Sequence, residues 1–259
     1  MDQVNNNIKL SVVIPAYNER ERLPKTLLEV HNYLSKQNYG YEILVVSDGS
    51  KDKTVEVVEN LKSLPQSGIP QSGKISNLKI IGNKENHGKG YVVRQGMLTA
   101  KGDYRLFTDA DNSTSIDQVE KMWPYFESGY DVVIGSRDAN GAVLDPPQPP
   151  SRLFLGEVFG LFTSLMCGTW GIKDTQCGFK GFTKKAAESI FPKCKIDRFA
   201  FDPEILIIAK KLKYKIKEIP VHWKNDLESK VKFKSMVKMG LDLLKIRMNI
   251  IKRVYDRKT

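Results

Sequence analysis

The sequence predicts an α/β protein whose mixed, mostly parallel sheet is covered by helices on both faces. Short apolar runs rich in β-branched residues alternate with amphipathic segments over the first 135 residues, and this alternation is typical of strands that are buried on both faces. Polar motifs directly follow successive predicted strands, at the edge where such sheets bind ligands. With 259 residues, 41% of them hydrophobic, the chain can bury a substantial core.

Each element is predicted from its own pattern. The apolar run at 10–15 predicts the first strand, and an amphipathic helix follows from about Glu21, with Pro24 tolerable only in its first turn. The other predicted strands are 41–46, 78–81, 104–108, 131–135, 178–183 and 215–223. The other predicted helices are 54–62, 90–100, 116–128, an apolar buried or interfacial helix within 153–172, 184–191 and 203–212. The Pro/Gly/Ser-rich segment 63–77 is expected to be an exposed loop, and the proline-rich segment 141–150 an irregular, mobile loop over the site.

The net charge of +11 is concentrated at the C-terminus. Residues 230–259 contain ten Lys or Arg against two Asp, a net charge of +8, which indicates an anionic partner. Because no aromatic residues are arranged beside these charges as a stacking platform, we do not expect nucleic acid binding. Residues 1–9 are polar and predict no signal peptide or membrane anchor there, and three irregularly spaced cysteines indicate a reducing compartment.

Two aspartates one residue apart, Asp109 and Asp111, follow the predicted strand 104–108. Carboxylates in this position can hold one hard divalent cation and leave open coordination positions for the oxygens of a diphosphate. Taken alone, the pair could equally be a solvated turn. Its weight comes from three further motifs at the ends of earlier strands.

Those three motifs also have ordinary structural explanations. Pro-Ala-Tyr-Asn-Glu at 15–19 can stack on a base and hydrogen-bond a ribose, although a tyrosine in a turn is more often a packing residue. Ser-Asp-Gly-Ser at 47–50 offers either a ligand acceptor or a helix N-cap. Asn-His-Gly-Lys-Gly at 86–90 is typical of a phosphate-binding turn and lacks the Walker spacing. Together the four motifs predict a nucleotide-sugar site.

These motifs, followed by Gly-Ser-Arg at 135–137, resemble in type and order those of the inverting family 2 glycosyltransferases of the GT-A (Rossmann-like) fold. Asp-Thr-Gln-Cys-Gly-Phe-Lys at 174–180, Phe-Asp-Pro-Glu at 201–204 and Val-His-Trp at 221–223 resemble the polyprenyl-phosphate branch, and within it the dolichyl-phosphate β-glucosyltransferases. The resemblance covers about residues 8–250. It implies an enzyme that transfers a hexose with inversion.

Two departures from that family pattern affect these expectations. Ser47 stands where the family usually has an aspartate, so a nucleoside role is carried only to Asp48. The eukaryotic glucosyltransferases of this kind usually begin with a membrane-anchoring helix, which the polar residues 1–9 do not supply. We therefore expect a prokaryotic-type enzyme, or one that holds the membrane by its surface.

The resemblance implies a catalytic domain over 1–225, with a donor half at about 8–137 and an acceptor half at 138–225, and a basic amphipathic tail over 226–259. The implied donor is a UDP-sugar, with UDP-glucose favoured. The implied nucleotide-sugar-binding residues are Pro15, Ala16, Tyr17, Glu19, Asp48, Lys89, Arg94, Asp109 and Ala110. Asp111, with Asp109, would hold Mg²⁺ or Mn²⁺ against the diphosphate and so stabilise the leaving group.

The implied acceptor is a polyprenyl monophosphate, dolichyl or undecaprenyl, that attacks the anomeric carbon from the opposite face and gives a β-linked product. Because the second pKa of a phosphate monoester is about 6, the acceptor is largely a dianion and needs no strong general base. The implied cations around it are Arg137, Arg152, Lys180 and Lys230. The catalytic residues expected are Asp111, Arg137 and Asp202, with Asp202 a positioning residue first and a base second.

The tail carries an apolar and a basic stripe at helical spacing. The apolar stripe is Val237, Leu241, Leu244, Met248, Ile251 and Tyr255, and the basic stripe is Lys238, Lys245 and Lys252. Such a helix can lie in the headgroup region of an anionic leaflet, which predicts a peripheral protein on the cytoplasmic face of the cell membrane, with no transmembrane helix. A dimer seam, which would make a homo-oligomer, and docking on the catalytic domain remain the alternatives.

Three other functions remain open at this point. One is a polyprenyl-phosphate mannosyltransferase that uses GDP-mannose. Another is a soluble family 2 transferase with a sugar hydroxyl as acceptor, and the third is a degenerate, non-catalytic nucleotide-sugar binder. The basic tail disfavours the second, and the intact pair Asp109 and Asp111 disfavours the third.

Overall fold

The computed structural model describes residues 7–63, 75–147, 150–224 and 233–256. The strands are β1 (Ile8–Ala16), β2 (Gly40–Ser47), β3 (Leu78–Gly82), β4 (Tyr104–Thr108), β5 (Val132–Ser136), β6 (Val143–Asp145), β7 (Phe179–Thr183), β8 (Ile216–Pro220) and β9 (His222–Lys224). The α-helices are α1 (Leu23–Leu34), α2 (Thr54–Ser63), α3 (Lys89–Thr99), α4 (Trp123–Glu127), α5 (Pro150–Cys167), α6 (Lys184–Ile190), α7 (Phe201–Lys211) and α8 (Phe233–Ile251). Short 3₁₀ helices span Ile116–Lys121, Phe191–Lys193 and Val254–Asp256.

Seven of the strands form one central sheet in the order β3-β2-β1-β4-β7-β5-β8. β1 pairs in parallel with β2 and β4, β2 with β3, and β5 with β8. β7 runs antiparallel between β4 and β5. The predicted mixed, mostly parallel sheet is therefore confirmed, and the carboxyl ends of β1, β2 and β4 meet at one edge.

Helices cover both faces of this sheet. Adjacent residues of the central strand β1 show this, because they pack into different hydrophobic layers. In β1, Val12 and Ile14 belong to the layer that contains Leu27 of α1. Val13 between them belongs to the layer that contains Met97 of α3. All five side chains are fully buried. This burial on both faces explains why the strands are continuous apolar runs rather than alternating ones.

Two predicted elements are divided. The helix expected over 116–128 is a 3₁₀ turn followed by α4, which carries Pro124 in its first turn, where the missing N–H would interrupt a longer helix. The strand expected over 215–223 ends at Pro220 in the central sheet and resumes as β9 in a second sheet. Most of the loop expected at 63–77 lies outside the described residues.

The expectation that 141–150 contains no regular structure is wrong. β6 lies within this segment and pairs in parallel with β9, with Val143 opposite His222. The strand is compatible with the sequence because its prolines begin at Pro146, after the last paired residue, so the backbone N–H groups of β6 are intact. The peptide bond that precedes Pro146 is cis.

The C-terminal helix α8 docks on the rest of the protein. Leu243 and Ile246 are fully buried in the hydrophobic layer shared with α7, and α5 packs beside α8. Tyr255, which follows α8, is also buried, so it does not belong to an exposed stripe as the sequence suggested. Of the alternatives considered for the tail, this face of α8 therefore docks on the catalytic domain.

The opposite face of α8 is apolar and exposed, and α5 continues it. The exposed apolar side chains are Leu241, Leu244, Met248 and Ile251 of α8 and Val158, Leu161, Phe162 and Leu165 of α5. The basic stripe Lys238, Lys245 and Lys252 is exposed as well. Within the described ranges, no helix has both the length and the apolar composition needed to cross a bilayer. The side chain of Val237 lies outside the described residues.

Candidate active site

A cavity of about 420 Å³ opens at the edge where β1, β2 and β4 end. Its lining residues are Pro15, Ala16, Tyr17, Glu19, Arg22, Asp48, Asn86, Gly88, Lys89, Val92, Asp109, Ala110, Asp111, Arg198 and Phe199. Four sequence motifs that are far apart along the chain are thus brought to one cavity. Of the predicted nucleotide-sugar residues, Arg94 is the one that does not line it.

The turn after β1 is fixed to the turn after β2. Asn18 adopts a left-handed conformation, with φ of 56°, and its side-chain oxygen accepts a hydrogen bond from the amide of Lys51 at 2.8 Å. The amide of Glu19 donates to Thr54 Oγ1 at 2.9 Å, and the Glu19 carboxylate binds Arg22 through two hydrogen bonds. These bonds hold Tyr17 with 44% of its surface exposed, where its ring can stack on a ligand.

Asp48 links the motif at 47–50 to the motif at 86–90 through hydrogen bonds. Its carboxylate is buried and accepts hydrogen bonds from the amides of His87 at 2.7 Å and Gly88 at 2.8 Å. Gly88 has φ of 113°, and a Cβ at this position would lie 2.4 Å from the carbonyl oxygen of Asp197, so the turn requires glycine. Ser47 is buried and hydrogen-bonds Ser50 Oγ at 2.8 Å. Asp48 therefore positions the Lys89 turn as well as lining the cavity.

Lys89 and Asp109 form an ion pair at the base of the cavity, with Nζ 2.6 Å from Oδ1. Burial would lower the pKa of Lys89, but attraction from Asp109 and then Asp202 outweighs burial and raises that pKa. Lys89 is therefore a permanent cation at neutral pH. Asp111 Oδ1 accepts a hydrogen bond from the amide of Ser113 at 2.9 Å, which orients its carboxylate.

The carboxylates of Asp109 and Asp111 fit a divalent metal site. Hard oxygen ligands suit Mg²⁺ and Mn²⁺, and such ions are commonly held by one or two carboxylates together with substrate phosphates. Within the residues that the structure describes, no group of three or more His, Cys, Asp or Glu side chains could hold a metal, so a metal here would need ligand oxygens as well. Gly178 gives Asp109 its room, since a Cβ there would lie 2.2 Å from Asp109 Oδ2.

Lys180 and Asp202 form a buried pair behind the cavity. Lys180 is fully buried and donates to Asp202 Oδ1 at 2.5 Å and to the carbonyl oxygen of Cys177 at 2.6 Å. Burial raises the pKa of Asp202, although Lys180 and Lys89 oppose that rise. The structure thus does not bring Lys180 to the cavity surface, and its contacts argue for positioning Asp202 rather than for binding an acceptor phosphate.

Arg137 is held by Asp174, the first residue of the most specific motif. Arg137 Nε and Nη2 donate to the two oxygens of Asp174 at 2.7 and 2.9 Å, and the amides of Gln176 and Cys177 donate to the same carboxylate. Burial alone would raise the pKa of Asp174, but the charge and hydrogen bonds of Arg137 outweigh it and lower that pKa to about 2. The guanidinium also lies over the ring of Trp223. Arg137 is partly exposed and lies outside the cavity lining.

The remaining predicted cations lie elsewhere. Arg94 donates to the carboxylate of Asp197 at 2.7 Å and to the carbonyl oxygen of Cys194 at 3.2 Å. It therefore supports the segment that carries Arg198, instead of lining the cavity itself. The side chain of Arg152 and the whole of Lys230 lie outside the described residues.

The profile described as glycosyl transferase family 2 matches residues 11–191, more than half of the chain. The chain belongs to glycosyl transferase family 2. It is 40% identical to a dolichyl-phosphate beta-glucosyltransferase of Trichomonas vaginalis, over 93% of this chain and 73% of that one. It is 36% identical to the dolichyl-phosphate beta-glucosyltransferase of Homo sapiens, over 94% of this chain and 76% of that one. The family resemblance predicted from the motifs is confirmed.

A solved structure supports the fold of this family 2 glycosyltransferase. Glucosyl-3-phosphoglycerate synthase from Mycobacterium tuberculosis, in complex with Mn²⁺, uridine diphosphate and glucosyl-3-phosphoglycerate, superposes with a TM-score of 0.63. The alignment covers 94% of this chain and 79% of that one at 15% identity. At that identity the likeness shows the shared fold, and it confirms the predicted GT-A class.

The sequence analysis of this glycosyltransferase did not identify six of the residues that line the cavity. They are Arg22, Asn86, Gly88, Val92, Arg198 and Phe199. Asn86 and Gly88 lie inside the motif at 86–90, which was recognised, but the sequence did not show which residues of that motif line the cavity. Arg198 and Phe199 precede α7 in an irregular segment with no motif of its own. Only the folded chain shows that this segment closes over the Lys89 turn.

Proposed function

We propose that the protein transfers glucose from UDP-glucose to a polyprenyl monophosphate such as dolichyl phosphate, with inversion to a β-linked product. The observation that carries the proposal is a cavity with Tyr17, Lys89 and the pair Asp109 and Asp111 on its walls. It occurs in a chain that relatives named dolichyl-phosphate beta-glucosyltransferase match over more than nine-tenths of its length. The cavity supplies an aromatic surface, a fixed cation and two carboxylates, which are the groups that a nucleoside diphosphate sugar requires.

The donor is held by the residues at the three strand ends. The exposed ring of Tyr17 stacks on uracil, and Pro15, Ala16, Glu19 and Asp48 form the nucleoside wall. Lys89 binds the diphosphate, and Asp109 and Ala110 close the base of the cavity. Arg94 acts indirectly, through Asp197.

A divalent ion, Mg²⁺ or Mn²⁺, bound by Asp109 and Asp111 would neutralise charge on the UDP leaving group. The M. tuberculosis synthase was solved with Mn²⁺ and uridine diphosphate together, which supports a divalent ion of this kind. Lys89, which pairs with Asp109, would add a second positive charge for the diphosphate. Such preorganised charge stabilises the transition state without reorganisation.

The acceptor phosphate is the nucleophile. One of its oxygens forms a bond to the anomeric carbon as the bond from that carbon to the UDP oxygen breaks, and the electron pair leaves with UDP. The acceptor is already an anion, so Asp202, committed to Lys180, positions the site rather than removing a proton. For the acceptor phosphate we propose Arg137, which lies outside the cavity lining. Arg152 and Lys230 remain candidates on the family resemblance alone, because the side chain of Arg152 and the whole of Lys230 lie outside the described residues.

The lipid part of the acceptor requires a membrane, and the apolar face of α5 and α8 is suited to one. That face combines exposed side chains such as Leu161 and Leu241 with the basic stripe containing Lys245. Apolar area with flanking cations favours binding to anionic leaflets. We infer that the protein binds peripherally on the cytoplasmic face, with a donor half at about 8–137, an acceptor half at 138–225 and a tail from 226 that holds the membrane.

A substrate panel tests this function. The purified protein is incubated with Mg²⁺ or Mn²⁺, a polyprenyl phosphate and either UDP-glucose, other UDP-sugars or GDP-mannose, and the release of nucleoside diphosphate is measured. We expect release from UDP-glucose that depends on the lipid phosphate. Release from GDP-mannose would instead indicate a mannosyltransferase, and turnover without the lipid would contradict the acceptor.

A further inference from the structure

One basic residue of the cavity lining forms no ion pair with a carboxylate of the described residues. Of the three basic residues that line the cavity, Arg22 is bound to Glu19 and Lys89 to Asp109. The third is Arg198, which makes no hydrogen bond or ion pair with any part of the chain that the structure describes.

One acidic residue outside the cavity faces Arg198 at longer range. Burial raises the pKa of Asp242 in α8, and the charges of Lys245 and Arg198 oppose that rise. The charge of Arg198 thus reaches Asp242, although no hydrogen bond or ion pair joins the two residues.

The backbone that carries Arg198 is held rigidly, although the side chain is not. Glu204 of α7 is buried and accepts hydrogen bonds from the amides of Lys195 and Ile196, both at 2.9 Å. Tyr255, which follows α8, donates to the same carboxylate at 2.7 Å. The fold therefore fixes the start of the segment that enters the cavity wall.

The other side of the segment is pressed against the Lys89 turn. The carbonyl oxygen of Asp197 accepts a hydrogen bond from the amide of Tyr91 at 3.1 Å. A Cβ at Gly88 would lie 3.0 Å from Arg198 Cγ, and one at Gly90 would lie 2.9 Å from the Arg198 carbonyl oxygen. Glycines thus let the stem of Arg198 cross the turn that presents Lys89.

We propose that Arg198 binds substrate phosphate in this cavity, as a second cation beside Lys89. Hydrogen bonds fix the backbone of the segment, and Arg198 lines the cavity. Its guanidinium makes no hydrogen bond with the described residues, so its donors are available to a ligand. Arginine presents a planar fork of donors that matches phosphate oxygens in pairs. Glu204, in this account, is a positioning residue that acts through the backbone of the segment.

The inference rests on the proposed function, because a donor and an acceptor that both carry phosphate are its premise. The phosphate could belong to the UDP moiety of the donor or to the lipid acceptor. Both sources present the same chemistry to Arg198, and separate measurements distinguish them.

The test compares Arg198→Ala and Arg198→Lys with the wild-type protein and with Lys36→Ala. Lys36 is exposed and remote from the cavity lining, so its substitution removes one unit of charge without touching the site. Calorimetry with Mn²⁺ present gives the Kd for UDP and for uridine, and steady-state kinetics give KM for the polyprenyl phosphate.

If the phosphate belongs to the donor, Arg198→Ala raises the Kd for UDP by roughly 10- to 100-fold, the effect of losing hydrogen bonds to a charged group. The Kd for uridine stays unchanged, and Arg198→Lys is intermediate. If the phosphate belongs to the acceptor, the Kd for UDP stays unchanged and KM for the lipid phosphate rises. Lys36→Ala alters neither quantity.

Two negative results have different meanings. Wild-type values for both UDP and the lipid phosphate in Arg198→Ala would overturn the role of Arg198 and leave the proposed function intact. A wild-type protein that binds UDP no better than uridine would contradict the proposed function, and the inference about Arg198 would fall with it.

Discussion

Gly178 controls how the Asp109 carboxylate enters the cavity. The residue belongs to the motif Asp-Thr-Gln-Cys-Gly-Phe-Lys, yet it does not line the cavity. A Cβ there would lie 2.2 Å from Asp109 Oδ2 and 2.4 Å from its Cγ. The nearest atoms belong to the end of a side chain, so a larger residue would move the carboxylate rather than the backbone.

Replacing Gly178 with alanine is therefore expected to damage metal binding and spare the fold. Because Asp109 is displaced from its position beside Asp111, the Kd for Mn²⁺ in the presence of UDP should rise by roughly 10- to 100-fold, the usual effect of disturbing a residue that orients a metal ligand. Electron paramagnetic resonance measures the free Mn²⁺. The matched control is Gly156→Ala, where a Cβ has no neighbour within 4 Å. Equal Mn²⁺ affinity in Gly178→Ala and Gly156→Ala would contradict the placement of the metal.

Asp174 is expected to make stability depend on pH in acid. Its pKa is about 2 in the folded protein, below the value of about 3.9 for an unfolded aspartate. The ionised carboxylate therefore stabilises the fold fully above about pH 4, and this contribution is lost as the pH falls toward 2. Asp174→Asn leaves Arg137 without its anion and should lower the free energy of unfolding at neutral pH by about 3–5 kcal/mol.

Urea unfolding at several pH values from neutral to acid measures this effect. The difference in unfolding free energy between wild type and Asp174→Asn should shrink as the pH falls below 4. Asp117→Asn provides the comparison, because Asp117 is exposed at the start of a 3₁₀ turn. A difference that stays constant down to pH 2 would show that Asp174 is not the titrating group.

At the scale of elements, α8 has two apolar faces with different partners. Leu243 and Ile246 are fully buried against the core, whereas Leu241 is 61% exposed and Leu244 is 47% exposed. Burial of the first face accounts for docking of the tail. The second face, continued by α5, has no partner among the described residues and is the face that we assign to the membrane.

A variant with serine at Leu241, Leu244, Met248 and Ile251 is expected to lose binding to vesicles that contain anionic phosphatidylglycerol. The substitutions remove the exposed apolar area that α8 contributes and leave the buried face of α8 unchanged. Flotation on a density gradient measures the bound fraction, and binding of the wild type should weaken with salt because the basic stripe contributes. Leu98→Ser, at an exposed leucine of α3, is the control.

The same variant separates the membrane from a dimer seam. If light scattering shows a wild-type dimer that becomes a monomer in the variant, and neither protein floats with vesicles, a second copy of the chain covers this face and the membrane assignment fails. A wild-type monomer that floats only with anionic vesicles supports the assignment.

The central sheet and most of the cavity lining could be predicted from the sequence. Each buried strand is a local apolar run, and each motif follows its strand, so parallel order alone brings 15–19, 47–50 and Asp109 together. The β6–β9 ladder could not be predicted, because three residues before a proline carry little periodicity and their partner is far along the chain.

The sequence also could not show which groups the predicted cations contact. Lys180 and Arg137 each lie in a recognised motif, yet whether a basic side chain faces a ligand or a buried carboxylate depends on tertiary contacts. Arg198 shows the converse: it has no motif, and the fold brings it to the cavity. Sequence patterns identify which residues are near the site more reliably than they identify what each one binds.

Glucose transfer to the lipid phosphate can be measured by following the sugar itself. The protein is incubated with UDP-glucose labelled in the sugar, dolichyl phosphate and Mg²⁺, and the label that enters the organic phase as β-linked glucosyl lipid phosphate is measured for the wild type and for Asp111→Ala. We predict transfer by the wild type and a loss of at least about 100-fold in the variant, since the substitution removes a carboxylate that we propose as a ligand of the leaving-group metal. Label that stays in the aqueous phase with the wild type, or transfer that is equal in Asp111→Ala, would contradict the account.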